Sequence, residues 1–257
     1  MEVLRPADLD LEKEGDVRDG VRWYPKARPH RIFRIFRTRL GTLANALREI
    51  ARVKIVENYL APDYLAKSTE FVVDYLGPDG PDLMLCGFQA YVEGQIIDPW
   101  GSLEWSALGP AMYHVFGPVS DPDGSLQTQW IRRSRRRAAT FIARIKRMIL
   151  EKGHVPDLAG VGNLVMVASG RIKLVDMNNI SRAALDPVVR MDDRGYPVCD
   201  KSIEALYLLE RQFFGNAVNR AEAIYRHFLD PSRQRQVQAV EERFYQRLTS
   251  AKVTPHS

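Results

Sequence analysis

The stretch from His154 to Asp176, HVPDLAGVGNLVMVASGRIKLVD, limits the possible folds more than any other part of the chain. A polar loop from His154 to Gly162 carries Asp157 and runs into Asn163. An apolar run, Leu164 to Val167, is followed by the small residues Ala168, Ser169 and Gly170. A second β-prone run, Arg171 to Val175, then ends on Asp176. Two short β runs around a glycine turn predict a hairpin. A hairpin brings its outer ends together, so Asn163 and Asp176 are expected side by side, near the loop of Asp157. Two carboxylates and an amide at one spot suit a hard cation with oxygen ligands and a general base beside it. An ordinary hairpin with solvated polar ends remains the alternative, because Asp and Asn also favour turns.

The order loop-Asp, Asn, hairpin, Asp resembles the catalytic and metal-binding loops of the protein-kinase-like superfamily, which includes the aminoglycoside and other small-molecule kinases. The resemblance implies that Asp157 accepts the proton of an acceptor hydroxyl. It also implies that Asn163 and Asp176 hold Mg²⁺ on the phosphates of ATP. The sequence departs from the family pattern in three places. His154-Val155-Pro156-Asp157 replaces the usual His-Arg-Asp or His-Gly-Asp, and five residues instead of four separate Asp157 from Asn163. Met177-Asn178-Asn179 follows Asp176 where Phe-Gly is usual.

At 257 residues, 45% hydrophobic and 27% charged, the composition is that of a globular chain with room for one large or two small domains. No run is long enough for a membrane-spanning helix. The acidic start MEVLRPADLDLEKEGD has no apolar core of a secretory signal, so a cytoplasmic protein is expected. Two cysteines, Cys86 and Cys199, supply neither a disulfide framework nor zinc-ligand spacing. The net charge of +5 favours anionic partners without choosing among them.

Residues 1–29 are polar and turn-rich, with a strand expected around Val21–Tyr24. Gly15 and Gly20 are too far apart for a phosphate-cradling glycine loop. The run His30–Arg37 predicts a strand, with Ile32, Arg34 and Phe36 on one face. In the kinase resemblance Arg34, or failing that Arg37, stands where a lysine would position phosphates. Solvated arginines on an edge strand are the simpler alternative. Apolar spacing predicts a helix over Leu43–Leu60, ended by Pro62. The resemblance implies a helix glutamate paired with the strand cation, Glu49 first and Glu57 second. Strands are expected at Thr69–Tyr75 and Leu83–Tyr91. The continuation Phe88-Gln89-Ala90-Tyr91-Val92-Glu93-Gly94 resembles the hinge of small-molecule kinases, which implies that the segment holding Gln89 and Tyr91 binds adenine.

Residues 95–128 read as irregular. Gln129–Lys152 predicts a long amphipathic helix, capped at Gly153. Its arginines, Arg132, Arg133, Arg135, Arg136 and Arg137, are either a nucleic-acid contact or a solvated face. Asp200 is expected to N-cap a further helix or, by the resemblance, to brace the catalytic loop. More helices follow over 217–250, and a disordered tail is expected after them.

Taken together, the expected fold is α+β and two-lobed, of protein-kinase-like type. A small β-rich N-lobe with one main helix would cover residues 1–92, and a larger, mostly helical C-lobe residues 93–257. The expected function is transfer of phosphate from ATP, with Mg²⁺, to a hydroxyl of an unknown small-molecule or protein acceptor. The alternatives are a pseudokinase that binds nucleotide or protein, and a nucleic-acid-binding protein using Arg132–Arg137.

Overall fold

The computed structural model describes residues 1–24, 26–36, 40–77, 80–103, 125–215 and 218–253. The chain is mixed α+β, with helices and small antiparallel sheets, and it divides into two compact units. One comprises residues 1–51 and 66–92, the other residues 52–65 and 93–257.

The first unit is built on a four-stranded antiparallel sheet in the order β1-β4-β6-β5. Its strands are β1 (Glu2–Val3), β4 (Arg31–Ile35), β5 (Ser68–Gly77) and β6 (Gly80–Ala90). The alternation read for His30–Arg37 holds, but β4 lies inside the sheet, between β1 and β6. Arg34 is therefore buried rather than solvated at an edge. On the opposite face Phe33, Phe71 and Phe88 form a ring cluster, with centroids 5.3 to 6.4 Å apart.

The turn-rich N-terminus holds more structure than its composition suggests. Helix α1 (Pro6–Glu14) precedes a hairpin of β2 (Asp16–Arg18) and β3 (Val21–Trp23). Asp19 and Gly20, both at positive φ, make the two-residue turn that Asp-Gly favours. Helix α2 has the bounds the apolar spacing predicts, Leu43–Leu60. It buries Ala46, Val53, Val56, Tyr59 and Leu60, whereas Leu43 and Leu47 stay exposed.

The second unit is organised around α3 (Ser125–Lys152), four residues longer at its start than predicted. Of the apolar residues spaced along its one face, Ala138, Phe141, Ile142, Ile145, Met148 and Ile149 are buried and Ile131 is half-buried. Burial of each large side chain contributes roughly 1.5–3 kcal/mol, so this seam outweighs the mutual repulsion of the arginines at its other side. The predicted hairpin is present as β9 (Leu164–Met166) and β10 (Ile172–Leu174), with Leu164 opposite Leu174 and Met166 opposite Ile172. β7 (Gln95–Ile96) pairs with the free edge of β9.

The hairpin turn rests on α3. Trp130 Nε1 donates to Ala168 O at 2.8 Å, and Arg137 donates to Ser169 O. Gly170 has φ +81° and packs its Cα against Ser134, so a Cβ there would run into Ser134 Oγ. Gly170→Ala should accordingly destabilise by roughly 1–3 kcal/mol, read as a lower denaturant midpoint with unchanged slope. A midpoint within error of the parent would show that the turn is not held this closely.

Helix α4 (Val198–Phe214) starts two residues before Asp200, on Pro197, without a side-chain cap. Asp200 is thus not the N-cap expected from the sequence. It lies fully buried in the first turn and pairs with Arg233 of α6 (Pro231–Val253), Nε to Oδ1 at 2.5 Å and Nη2 to Oδ2 at 3.2 Å. Between them runs α5 (Ala223–Phe228), whose Tyr225 hydroxyl donates to Glu210. Among the described residues no helix is long and apolar enough to cross a membrane. Arg37, most of the stretch read as irregular (residues 104–124) and the tail after Val253 lie outside the described residues.

Candidate functional site

Two strand pairings bring the predicted residues together. β8 (His154–Pro156) pairs with β11 (Ile180–Arg182), and the ladder continues as the Asp157 N–H donates to Asn179 O at 2.9 Å. On the hairpin, Val175 N–H donates to Asn163 O at 2.9 Å, which sets Asp176 at the end where Asn163 enters. The loop between closes on itself. Asn163 Nδ2 donates to the Asp157 carbonyl at 2.9 Å, and Asn163 N–H to Gly160 O at 3.2 Å. Gly160 is needed for this closure, because a Cβ there would collide with the Asn163 amide. With Nδ2 turned inward, Asn163 Oδ1 accepts no hydrogen bond among the described residues.

The carboxylates have different surroundings. Asp157 Oδ1 accepts from the N–H groups of Ala159 and Gly160 at 3.0 and 3.1 Å. Burial raises the Asp157 pKa above the usual carboxylate range; these two N–H groups pull it back, and the charges of Asp176 and Asp192 push it up further. Asp176 Oδ1 accepts from Asn178 N–H at 2.8 Å. Asp157 and Asp176 are thus within electrostatic reach, with the Asn163 amide tied to the same loop. Among the described residues no three His, Cys, Asp or Glu side chains form a metal cage. An amide and a carboxylate fit Mg²⁺ that takes its remaining ligands from water and phosphate.

Several supporting residues were not singled out in the sequence. Ser202 Oγ accepts from Leu158 N–H at 3.2 Å, so α4 braces the loop through Ser202 rather than Asp200. Trp100 Nε1 donates to Ala159 O at 3.0 Å. Asp192 accepts from Tyr196 N–H at 2.8 Å and from the Asn179 amide at 3.4 Å. Asn179 had been noted only as part of a departure from the family pattern. Its carbonyl and amide in fact tie two loops together.

In the first unit, Arg34 donates to Glu70 at 3.1 Å, with both side chains almost fully buried. Arg34 and Glu70 both face Gly87 across the sheet, from opposite sides. The missing side chain of Gly87 lets the ion pair pass over the middle strand. A glycine inside a predicted strand was the available signal for such a close approach. Glu49 is half-buried on α2; Gln89 is buried on β6, and Tyr91 is half exposed just after it. On α3, Arg132, Arg133, Arg135 and Arg136 are exposed, whereas Arg137 is the turn anchor described above.

No family model and no curated protein matches the chain. Among solved structures it is similar to the ROP18 kinase domain in complex with AMP-PNP and sucrose, at 12% identity and a TM-score of 0.33, over 86% of this chain and 72% of that one. It is also similar to ROP2 from Toxoplasma gondii, a virulence factor with a protein-kinase fold and no enzymatic activity. That match has 12% identity and a TM-score of 0.32, over 86% of this chain and 74% of the other.

Proposed function

We propose that the chain is a divergent protein-kinase-like phosphotransferase that moves the terminal phosphoryl group of ATP, with Mg²⁺, to a hydroxyl acceptor. The observation that carries this reading is the joining of Asp157, Asn163 and Asp176 by the two strand pairings and the Asn163 to Asp157 hydrogen bond. Asp157 orients the acceptor hydroxyl and takes its proton. Its raised pKa suits that task, because a base works best when its pKa approaches the working pH. Asn163 Oδ1 and the Asp176 carboxylate would hold Mg²⁺, which neutralises charge on the phosphates when bound. Arg34 and Glu49 would position the phosphates, and the Gln89–Tyr91 backbone the adenine. Residues 1–92 and 93–257 would be the two lobes.

Thermal shift with ATP, with and without Mg²⁺, tests this. A ligand at 100 times its Kd stabilises by about 2.7 kcal/mol. Mg²⁺·ATP should raise the melting temperature of the parent protein, and Asp176→Ala should lose the Mg²⁺-dependent part. No shift at millimolar nucleotide would sink the proposal.

A second reading is a pseudokinase. The Arg34 guanidinium, the group nearest in role to a phosphate-positioning lysine, is engaged by Glu70 inside the sheet. A Mg²⁺·ATP shift without turnover on any acceptor would favour it. Nucleic-acid binding through the Arg132–Arg137 helix is the third reading, and a steep loss of binding with salt would be its signature.

A further inference from the structure

The loop Met191–Tyr196 has two sides. On one, Asp192 holds Asn179, whose carbonyl accepts the Asp157 N–H. On the other, Met191 and Gly195 line a groove of about 660 Å³ with Val240, Arg243, Gln246 and Arg247 of α6. Arg243 and Arg247 are four residues apart and both exposed. Their Nε groups donate to the helix carbonyls of Ala239 and Arg243, at 3.0 and 3.4 Å. Gly195, at φ +85°, lets the Arg247 guanidinium lie where a Cβ would stand.

Like charges four apart on a helix repel each other. Among the described residues neither arginine forms an ion pair with a carboxylate. Glu241 is engaged by Lys201 and by the Tyr196 hydroxyl, and Glu242 by Gln238. The Tyr196 ring also packs tilted against Phe244, at 5.1 Å between centroids, and so fastens the loop to α6. The groove thus sets two cationic side chains beside the apolar Met191 and Val240, and one loop joins it to the carboxylate assigned as the base. Two guanidinium groups side by side match an oxyanion such as phosphate or carboxylate.

We propose that this groove binds the oxyanion of a small, anionic acceptor, a hydroxyl compound that already carries a phosphate or carboxylate. The acceptor assignment rests on the phosphotransferase reading; the anion site does not. Glycerol 3-phosphate, inorganic phosphate and glycerol are suitable probes, compared at equal ionic strength by thermal shift. Both anions should stabilise the parent protein, and glycerol should not. In the double variant Arg243→Gln/Arg247→Gln the apparent affinity should fall about tenfold or more, with the Mg²⁺·ATP shift retained. Arg243→Lys/Arg247→Lys should keep part of the anion effect. Equal anion shifts in the parent and the glutamine variant, or none in the parent, overturn the proposal. If the anion effect depends on the arginines while Mg²⁺·ATP gives no shift, the phosphotransferase reading fails and the anion site stands.

Discussion

Arg233→Met should cost the folded protein about 3–5 kcal/mol, the usual penalty for leaving one charge of a buried pair alone. Arg233 is 6% exposed and Asp200 not exposed at all. Besides its two bonds to Asp200, Arg233 donates to Asp186 O at 2.7 Å and to Val188 O at 3.1 Å, and lies over the Phe228 ring. One guanidinium thus holds α4, α6 and the loop between β11 and α4. Burial raises the Asp200 pKa, and Arg233 opposes that rise; without Arg233 the carboxylate would take up a proton more readily still. The melting temperature should fall by roughly 10 °C or more. Adding Asp200→Asn to Arg233→Met should recover part of the loss, because no isolated buried ion then remains. A single-variant loss below about 1 kcal/mol, within the range of exposed pairs, would show that the pair does not hold these elements.

Asp157→Asn should lower the proposed phosphotransfer rate by about 10²–10⁴, the usual contribution of a positioned general base, and at the same time stabilise the fold near neutral pH. The Asn Oδ1 keeps both hydrogen bonds from Ala159 and Gly160, so the loop survives the exchange. The stabilising effect follows from the raised pKa of Asp157. The folded state holds the Asp157 proton more tightly than the unfolded chain does. Folding is therefore penalised increasingly as pH rises from the ordinary aspartate range through the raised value. Below that range both states are protonated, and Asp157→Asn should match the parent. Denaturation midpoints from about pH 3 to pH 8 would check this. A variant destabilised at pH 7, or equally stabilised at every pH, would contradict the burial argument. Full activity in the variant would remove Asp157 from the role of base.

Much of the local structure was legible in the sequence, because it follows from the periodicity of apolar side chains. Helix α2 and the buried stripe of α3 follow their 3.6-residue patterns, since each buries a single face, whereas β9 is buried on both faces and is legible as a short apolar run bounded by turn residues. The closeness of Asn163 to Asp176 was likewise legible, because hairpin pairing alone requires it. Short elements with little apolar content were not. β1 has two residues and is held by pairing with β4, while α1 is a polar helix whose composition resembles a loop.

What the tertiary structure alone decided is which polar group meets which. Asp200 has the spacing of an N-cap, but α4 begins earlier, and the approach of α6 makes Asp200 the partner of Arg233. Ser202, one turn from no recognisable motif, braces the loop of Asp157 because α4 passes beneath it. A solvated edge charge was the simpler alternative for Arg34 in the sequence, but β1 covers one side of its strand and Glu70 reaches it across Gly87. The sequence by itself determined the helices, the hairpin and the pairing of its ends, since these depend on neighbours along one chain segment. The partners of Asp200, Ser202 and Arg34 depend on segments distant in sequence, and only packing brings such groups within hydrogen-bonding or electrostatic range.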